Sequence, residues 1–145
     1  MNKVAITLAI IIGVCAASNI KCTQEQKEAV ACTYEYEPVC GVKANSSSKY
    51  SQSFATYGNK CQACSEEGVE FYAHGECDKY PSNALFCHPD SYLQPACTKE
   101  LDPVCGYYDE DSLQYKNQKF SEDFSNKCNA CFHKNISYIL QGFCQ

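Results

Sequence analysis

The apolar residues of the chain form one long run near its start and only short groups afterwards. Between Val4 and Val14 all but two positions are apolar, Lys3 precedes the run, and small residues follow it. This arrangement predicts a secretory signal peptide over residues 1–17. The run is shorter than the about 20 apolar residues of a membrane span, and the bulk of Val14 disfavours a lipid anchor on Cys15. We therefore expect a secreted, extracellular protein that does not insert into a membrane.

Beyond residue 17, short apolar groups alternate with polar stretches and predict short strands and helices. The first half reads as a strand over 39–42, a polar loop over 43–53, a strand over 54–57, a helix over 59–67 and a strand over 69–73. Asn59 is a good N-cap for that helix, and Gly68 is suited to end it. The second half repeats the order with a strand over 104–108, a loop over 109–121, a helix over 126–133 capped by Asn126, and a strand over 136–140. Each half therefore predicts a small α+β unit, in which a short helix packs on a small antiparallel sheet.

The cysteines divide the chain in the same way. Twelve of the thirteen fall into two sets, with gaps of 9, 7, 20, 2 and 12 residues in the first and 9, 7, 22, 2 and 12 in the second. The first set is Cys22, Cys32, Cys40, Cys61, Cys64 and Cys77, and the second is Cys87, Cys97, Cys105, Cys128, Cys131 and Cys144. Such a repeat predicts one disulfide-bonded module used twice. We expect a first domain over residues 18–78, a linker over 79–84 and a second domain over 85–145.

The density of cysteines indicates a small protein stabilised by disulfide bonds. Without the predicted signal, 12 cysteines remain among 145 − 17 = 128 residues, or about 9%, which is typical of disulfide scaffolds in oxidising compartments. A module of about 60 residues is too small for a large core, so three bridges of about 2–4 kcal/mol each are expected to stabilise it. The pairs Cys61-x-x-Cys64 and Cys128-x-x-Cys131 resemble zinc or redox sites, but within six-cysteine sets they favour disulfides. We expect no metal and no cofactor.

Charge and polar residues argue against several other classes of function. The formal net charge is −5, every basic residue is Lys, and Arg is absent from the sequence. This composition indicates no basic face for nucleic acid. The three histidines lie far apart in the sequence, and none belongs to a recognisable arrangement of serine, histidine and acid. We expect a monomer that is not an enzyme and does not bind nucleic acid.

The segment between the second and third cysteines of each set carries the candidate chemistry. It reads Cys32-Thr33-Tyr34-Glu35-Tyr36-Glu37-Pro38-Val39-Cys40-Gly41 in the first half and Cys97-Thr98-Lys99-Glu100-Leu101-Asp102-Pro103-Val104-Cys105-Gly106 in the second. The two copies share a frame and differ most at Tyr34 and Lys99. Cysteines anchor both ends, a proline restricts the backbone, and in an extended segment Tyr34 and Lys99 point away from the residues on either side. A loop of this kind predicts a display surface that loses little conformational entropy on binding.

On these residues the chain resembles the Kazal family of serine protease inhibitors. The resemblance rests on six cysteines in order, the Cys-Thr-x-Glu-x-x-Pro-x-Cys-Gly loop and Tyr57-Gly58-Asn59-Lys60-Cys61-x-x-Cys64, and it covers nearly all of residues 18–145. The family pairs the first cysteine with the fifth, the second with the fourth and the third with the sixth. The resemblance thus implies the bridges Cys22–Cys64, Cys32–Cys61, Cys40–Cys77, Cys87–Cys131, Cys97–Cys128 and Cys105–Cys144. Spacing alone leaves 15 pairings per module open.

The resemblance also implies a function and the residues that perform it. In the family, the residue two after the second cysteine enters the primary pocket of the protease, which makes Tyr34–Glu35 and Lys99–Glu100 the reactive bonds. The other loop residues are Thr33, Tyr36, Pro38, Thr98, Leu101 and Pro103, and an asparagine at the helix start, here Asn59 or Asn126, braces each loop. The expected partners are extracellular serine proteases. The expected protein is a double-headed inhibitor, with its first head directed at chymotrypsin- or subtilisin-like enzymes and its second at trypsin-like enzymes.

Several features depart from the family or leave an alternative open. The gaps 41–60 and 106–127 are longer than in most members, and Phe124 stands where the first copy has the family's usual tyrosine, Tyr57. The alternative function is that of a non-inhibitory extracellular Kazal-type binding module, although such modules often lose the loop frame that both copies keep. Two sequons, at Asn45 and Asn135, are candidate glycosylation sites and predict a glycoprotein.

Overall fold

The computed structural model describes residues 18–43, 52–109 and 120–145. The predicted signal peptide, the sequon at Asn45 and the middle of each long gap lie outside these residues. Within them the protein is a small disulfide-rich α+β fold with two four-stranded antiparallel sheets and short helices. This architecture confirms the predicted fold class and is consistent with two Kazal-like domains. No helix among the described residues is long and apolar enough to cross a membrane.

Each half of the chain builds one sheet. The first sheet contains β1 (Ile20–Lys21), β2 (Val39–Lys43), β3 (Ser53–Tyr57) and β4 (Val69–His74) in the order β1-β4-β2-β3. The second contains β5 (Leu85–Phe86), β6 (Val104–Tyr108), β7 (Ser121–Phe124) and β8 (Ile136–Gln141) in the order β5-β8-β6-β7. The registers are equivalent, with Val39 opposite Tyr57 in the first sheet and Val104 opposite Phe124 in the second. The repeat in the sequence is therefore also a repeat of strand order and register.

Short helices lie beside the sheets. They are α1 (Gln24–Lys27), α2 (Lys60–Ser65) and α3 (Lys127–Phe132), with 3-10 turns at Cys77–Lys79 and Ser91–Leu93. Asn59 and Asn126 cap α2 and α3 by accepting the backbone N–H groups of Gln62 and Asn129, as the sequence predicts. Helix α1, which the sequence analysis did not predict, begins with a capping box at Thr23.

The predicted ends of the two longer helices are wrong by one or two residues. Helix α2 stops before Glu66, whose backbone is already extended with ψ at 133°, and Gly68 turns the chain into β4 at a φ of +84°. That conformation strongly favours glycine, so Gly68 marks the turn to the strand rather than the helix end itself. Helix α3 stops before His133, whose ψ is 115°. The bounds of the predicted loops are also wrong, because Lys43 still belongs to β2 and Ser53 already belongs to β3. Ser121 begins β7, a strand that the sequence analysis did not predict.

Apolar side chains are buried on both faces of the sheets. Between each sheet and its helix lies a core, formed by Cys22, Val39, Ala63, Cys64, Val69 and Tyr72 in the first half and by Leu85, Cys87, Val104, Ala130, Cys131, Ile136 and Ile139 in the second. Since successive strand residues point to opposite faces, Val42 and Phe71 point away from α2. Both are nonetheless buried, in a third core that Ala84 and Phe86 complete. The two sheets therefore pack on each other through the faces that carry no helix.

Six disulfides connect the described cysteines, three in each half. The bonds are Cys22–Cys64, Cys32–Cys61, Cys40–Cys77, Cys87–Cys131, Cys97–Cys128 and Cys105–Cys144. These pairs coincide with the ones that the family resemblance implies. In each half one bridge, Cys32–Cys61 or Cys97–Cys128, fastens the start of the candidate loop to the helix. A second, Cys40–Cys77 or Cys105–Cys144, fastens the strand that follows the loop.

Candidate functional site

Both candidate loops lie on the surface, between the bridge to the helix and the strand β2 or β6. They have no regular secondary structure. The exposed loop residues are Thr33, Tyr34, Glu35 and Tyr36 in the first copy and Thr98, Lys99, Glu100 and Leu101 in the second, while Pro38 and Pro103 are half-buried. The Tyr34 side chain is 100% exposed although its ring is largely apolar. Aromatic rings of this kind supply much of the contact area in protein interfaces, so the tip of the first loop is suited to a partner.

The Asn59 side chain holds the first loop at the points on either side of Tyr34. Its Nδ2 donates to the backbone carbonyl oxygens of Thr33 at 2.9 Å and of Glu35 at 3.0 Å. Its Oδ1 accepts the backbone N–H of Gln62 at 3.0 Å, which is the N-cap bond of α2. Asn59 is only 6% exposed, so its amide is buried beneath the loop, and the three bonds are partly shielded from water. One amide therefore fixes both the helix start and the two peptide units that flank the Tyr34 carbonyl.

Asn126 repeats this arrangement in the second half. Its Nδ2 donates to the carbonyl oxygens of Thr98 at 3.1 Å and Glu100 at 2.8 Å, and its Oδ1 accepts from the N–H of Asn129 at 2.9 Å. Lys99, between the two held carbonyls, is exposed. The structure thus brings together the residues that the sequence analysis assigned to reactive bond and brace, in both copies.

A backbone hydrogen bond extends the brace to the far side of each candidate reactive bond. The N–H of Glu37 donates to the Gly58 carbonyl oxygen at 2.9 Å, and the N–H of Asp102 donates to that of Ser125 at 2.8 Å. Gly58 and Ser125 directly precede the bracing asparagines. Both loops are therefore attached to the helix start on each side of the exposed residue.

The two loops differ two residues beyond Tyr34 and Lys99. The Tyr36 hydroxyl donates to a Glu76 carboxylate oxygen at 2.7 Å. This hydrogen bond, and then the charge of Glu76, raise the pKa of Tyr36 above its ordinary value. The second loop has Leu101 there, 79% exposed, and one residue later the Gln141 side chain donates to a carboxylate oxygen of Asp102 at 2.6 Å. The first loop thus has an additional anchor at Tyr36, where the second loop has the exposed Leu101, and sequence reasoning missed this contact.

Shortly after each loop a strand glycine lies directly against an aromatic ring, a contact that sequence reasoning also missed. A Cβ at Gly41 would lie 2.6 Å from a ring carbon of Tyr57, and one at Gly106 would lie 2.7 Å from a ring carbon of Phe124. The replacement of Tyr57 by Phe124 therefore keeps this ring contact. The repeated Cys-Gly after each loop was the available signal, since glycine allows close approach where any other residue would clash.

The other candidate sites stand apart from the loops. Asn135 is half-buried, and Ser137 of the same sequon is buried, with its hydroxyl donating to Asn19. Among the described residues, Cys105, Asp123 and Cys144 bring possible metal-ligand atoms within 4.8 Å of one another. The two cysteines form a disulfide, and Asp123 accepts the N–H of Cys144 at 2.6 Å. That cluster is therefore occupied by structural bonds.

Comparison with known proteins gives one relative of interest. An alignment of 132 residues, which covers 80% of this chain, shows 31% identity to ovoinhibitor from Gallus gallus. The chain spans 21% of the length of that protein. No protein-family model and no solved structure matches the chain. The similarity thus extends over most of this chain and over a small part of an inhibitor.

Proposed function

We propose that this protein is a secreted, two-headed serine protease inhibitor that binds its targets as a substrate would. The observation that carries the proposal is the pair of braces. In each half a buried asparagine holds the carbonyls on both sides of an exposed residue, at Tyr34 and at Lys99. The similarity to ovoinhibitor, which is an inhibitor and not an enzyme, supports the same class of function.

The brace explains how a loop that is offered as a substrate would inhibit. The catalytic serine would attack the carbonyl carbon of Tyr34, whose own oxygen is not among the acceptors of Asn59. After cleavage of the Tyr34–Glu35 bond, the Cys32–Cys61 bridge would hold one end, and Asn59 with the Cys40–Cys77 bridge would hold the other. The new amine thus stays beside the acyl group, and such proximity strongly favours the reverse reaction. The enzyme then remains occupied instead of releasing products.

The two exposed side chains suggest different targets. Lys99 is a long cation that suits a primary pocket with a buried acid, as in trypsin-like enzymes. Tyr34 buries about 150–250 Å² when its ring is enclosed, which suits the apolar pocket of chymotrypsin-like enzymes or the cleft of subtilisin-like ones. We accordingly assign trypsin-like enzymes to the second head and the other two classes to the first.

Inhibition constants of single and double variants of the full chain test this assignment. Lys99→Glu should abolish inhibition of trypsin, because it brings like charges together, and should leave inhibition of chymotrypsin unchanged. Adding Tyr34→Lys to the same chain should restore inhibition of trypsin through the first head and remove that of chymotrypsin. If the inhibition constants for trypsin and chymotrypsin do not change with these substitutions, Tyr34 and Lys99 are not the primary contacts. If the unchanged chain at micromolar concentration inhibits no serine protease of the three classes, a non-inhibitory binding module is the better interpretation.

A further inference from the structure

The two halves share a buried aromatic interface. Phe86 of β5 is fully buried, and its ring centroid lies 5.2 Å from that of Phe54, 4.9 Å from Tyr80 and 6.2 Å from Tyr138. Phe54 belongs to the first sheet and Tyr138 to the second. Tyr80 and Ala84, in the predicted linker, pack in the same core. Edge-to-face contacts stabilise such clusters beyond simple burial, so the connecting segment belongs to the packing between the sheets.

A buried polar network fastens the start of the first half to the second half. The Nδ2 atom of Asn19, a residue 2% exposed, donates to the carbonyl oxygens of Cys87 and Ser137, both at 2.7 Å. The Ser137 hydroxyl donates to Oδ1 of Asn19 at 3.1 Å. The backbone N–H of Ser18 donates to the carbonyl oxygen of Lys134 at 3.2 Å. Buried polar groups are costly when unpaired, so a docked arrangement in which these hydrogen bonds were not formed would be unfavourable. The network therefore favours one relative placement of the two halves.

Charged and amide contacts surround the buried part of the interface. The ammonium group of Lys21 forms an ion pair with the carboxylate of Asp90. This pairing raises the pKa of Lys21 and lowers that of Asp90. The Gln52 side chain accepts the backbone N–H of Phe86 at 2.7 Å and donates to its carbonyl oxygen at 3.1 Å. Gln52 thus covers polar backbone groups of β5, an edge strand that would otherwise leave them open.

We infer that the two halves form one rigid body, with residues 18–19 acting as a clasp on the second sheet. None of the six disulfides crosses between the halves, so the docking depends on these noncovalent contacts and on the connecting chain. Tyr34 and Lys99 are exposed in the docked chain. The two loops are therefore held at a fixed distance and orientation without covering each other. This inference does not depend on what the loops bind, and its test uses no protease.

Zero-length cross-linking with a carbodiimide tests the docking directly, because the reagent joins an amine only to a carboxylate already in contact with it. In the chain from Ser18 to Gln145 we expect a Lys21–Asp90 cross-link within one molecule, identified by mass spectrometry after reduction and digestion. The Lys43–Glu66 pair, 3.1 Å apart within the first half, is the positive control. Formation of the control product without the Lys21–Asp90 product would overturn the inference.

Nitrogen-15 relaxation of the same chain tests rigidity. We expect one rotational correlation time for the amides of both sheets, roughly twofold longer than a free half would show, since this time grows with particle volume. Correlation times close to that of a free half, whether equal or unequal, would mean that the halves tumble separately and would overturn the inference. Asn19→Ala should lower the midpoint of thermal unfolding by on the order of 5 °C, whereas Asn83→Ala, at an exposed position between the halves, should not. An Asn19→Ala chain with the midpoint of the unchanged protein would refute the clasp.

Discussion

The substitution Asn59→Asp separates the two tasks of the bracing side chain. Aspartate keeps an oxygen for the N–H of Gln62 and is as good an N-cap as asparagine. It has no N–H for the carbonyl oxygens of Thr33 and Glu35, which Asn59 holds at 2.9 and 3.0 Å. The helix should therefore persist while the loop around Tyr34 loosens. Asn59→Ala removes the cap as well and should cost about 0.5–2 kcal/mol more in stability.

The expected loss of affinity follows from the bonds removed. Each hydrogen bond contributes a net of about 0.5–1.5 kcal/mol, so two bonds give about 2 kcal/mol. If this preorganisation is lost in the free chain and must be recovered on binding, the dissociation constant should rise about 30-fold. Cleavage of the Tyr34–Glu35 bond should also become faster, because the new chain end is no longer held in place.

The assay measures inhibition constants for chymotrypsin and trypsin on one full-length chain that carries Asn59→Asp. The second head is an internal control, so inhibition of trypsin should not change. Asn126→Asp should give the reverse result, with weaker inhibition of trypsin and unchanged inhibition of chymotrypsin. An Asn59→Asp chain that inhibits chymotrypsin as well as the unchanged protein does, and resists cleavage equally, would refute the role of the brace.

Three further predictions concern the fold around the loops. Gly41→Ala places a Cβ 2.6 Å from a ring carbon of Tyr57 and should destabilise the fold by about 1–3 kcal/mol, measured by thermal unfolding. The control Gly58→Ala meets only the flexible end of the Gln62 side chain and should cost less. The pKa of Tyr36 is raised, so the hydrogen bond from Tyr36 to Glu76 stabilises the fold below the ordinary tyrosine pKa. This stabilisation is lost as the pH rises through the raised pKa. Glu76→Gln should lower the pKa of Tyr36 in a spectroscopic titration, and an unchanged pKa would contradict this. Peptide mapping without reduction should return Cys32–Cys61, and a free thiol at either position would contradict the connectivity.

The sequence predicted best those features that depend on neighbouring residues. Asn59 and Asn126 cap their helices because the cap bond reaches only three residues along the chain. Most of the longer strands follow from short apolar groups, whereas β7, which reads Ser-Glu-Asp-Phe, was not predicted. The family resemblance adds the brace to the same two asparagines. The helix ends were harder, because Glu66 and His133 are compatible with a helix and leave it only where the chain turns toward the next strand.

Contacts between distant segments could not be predicted in this way. Asn19 lies 68 and 118 residues from the residues that it binds, and Tyr36 lies 40 residues from Glu76. The strands β1 and β5 have two residues each, too few for any periodicity, and exist because β4 and β8 offer a partner edge. The burial of Phe86 likewise depends on the other sheet. The interface between the halves was therefore invisible in a sequence that shows two equivalent modules.

The most direct test of the account is the reversible cleavage of the Lys99–Glu100 bond by a catalytic amount of trypsin. The intact chain and the chain already cleaved at this bond are incubated separately, and the two forms are quantified by mass spectrometry. If the loop inhibits as a tightly held substrate, both samples should converge on the same mixture, with comparable amounts of intact and cleaved chain. Complete cleavage from either starting point would show an ordinary substrate, and failure of trypsin to act on this bond from either side would contradict the assignment of the reactive loop.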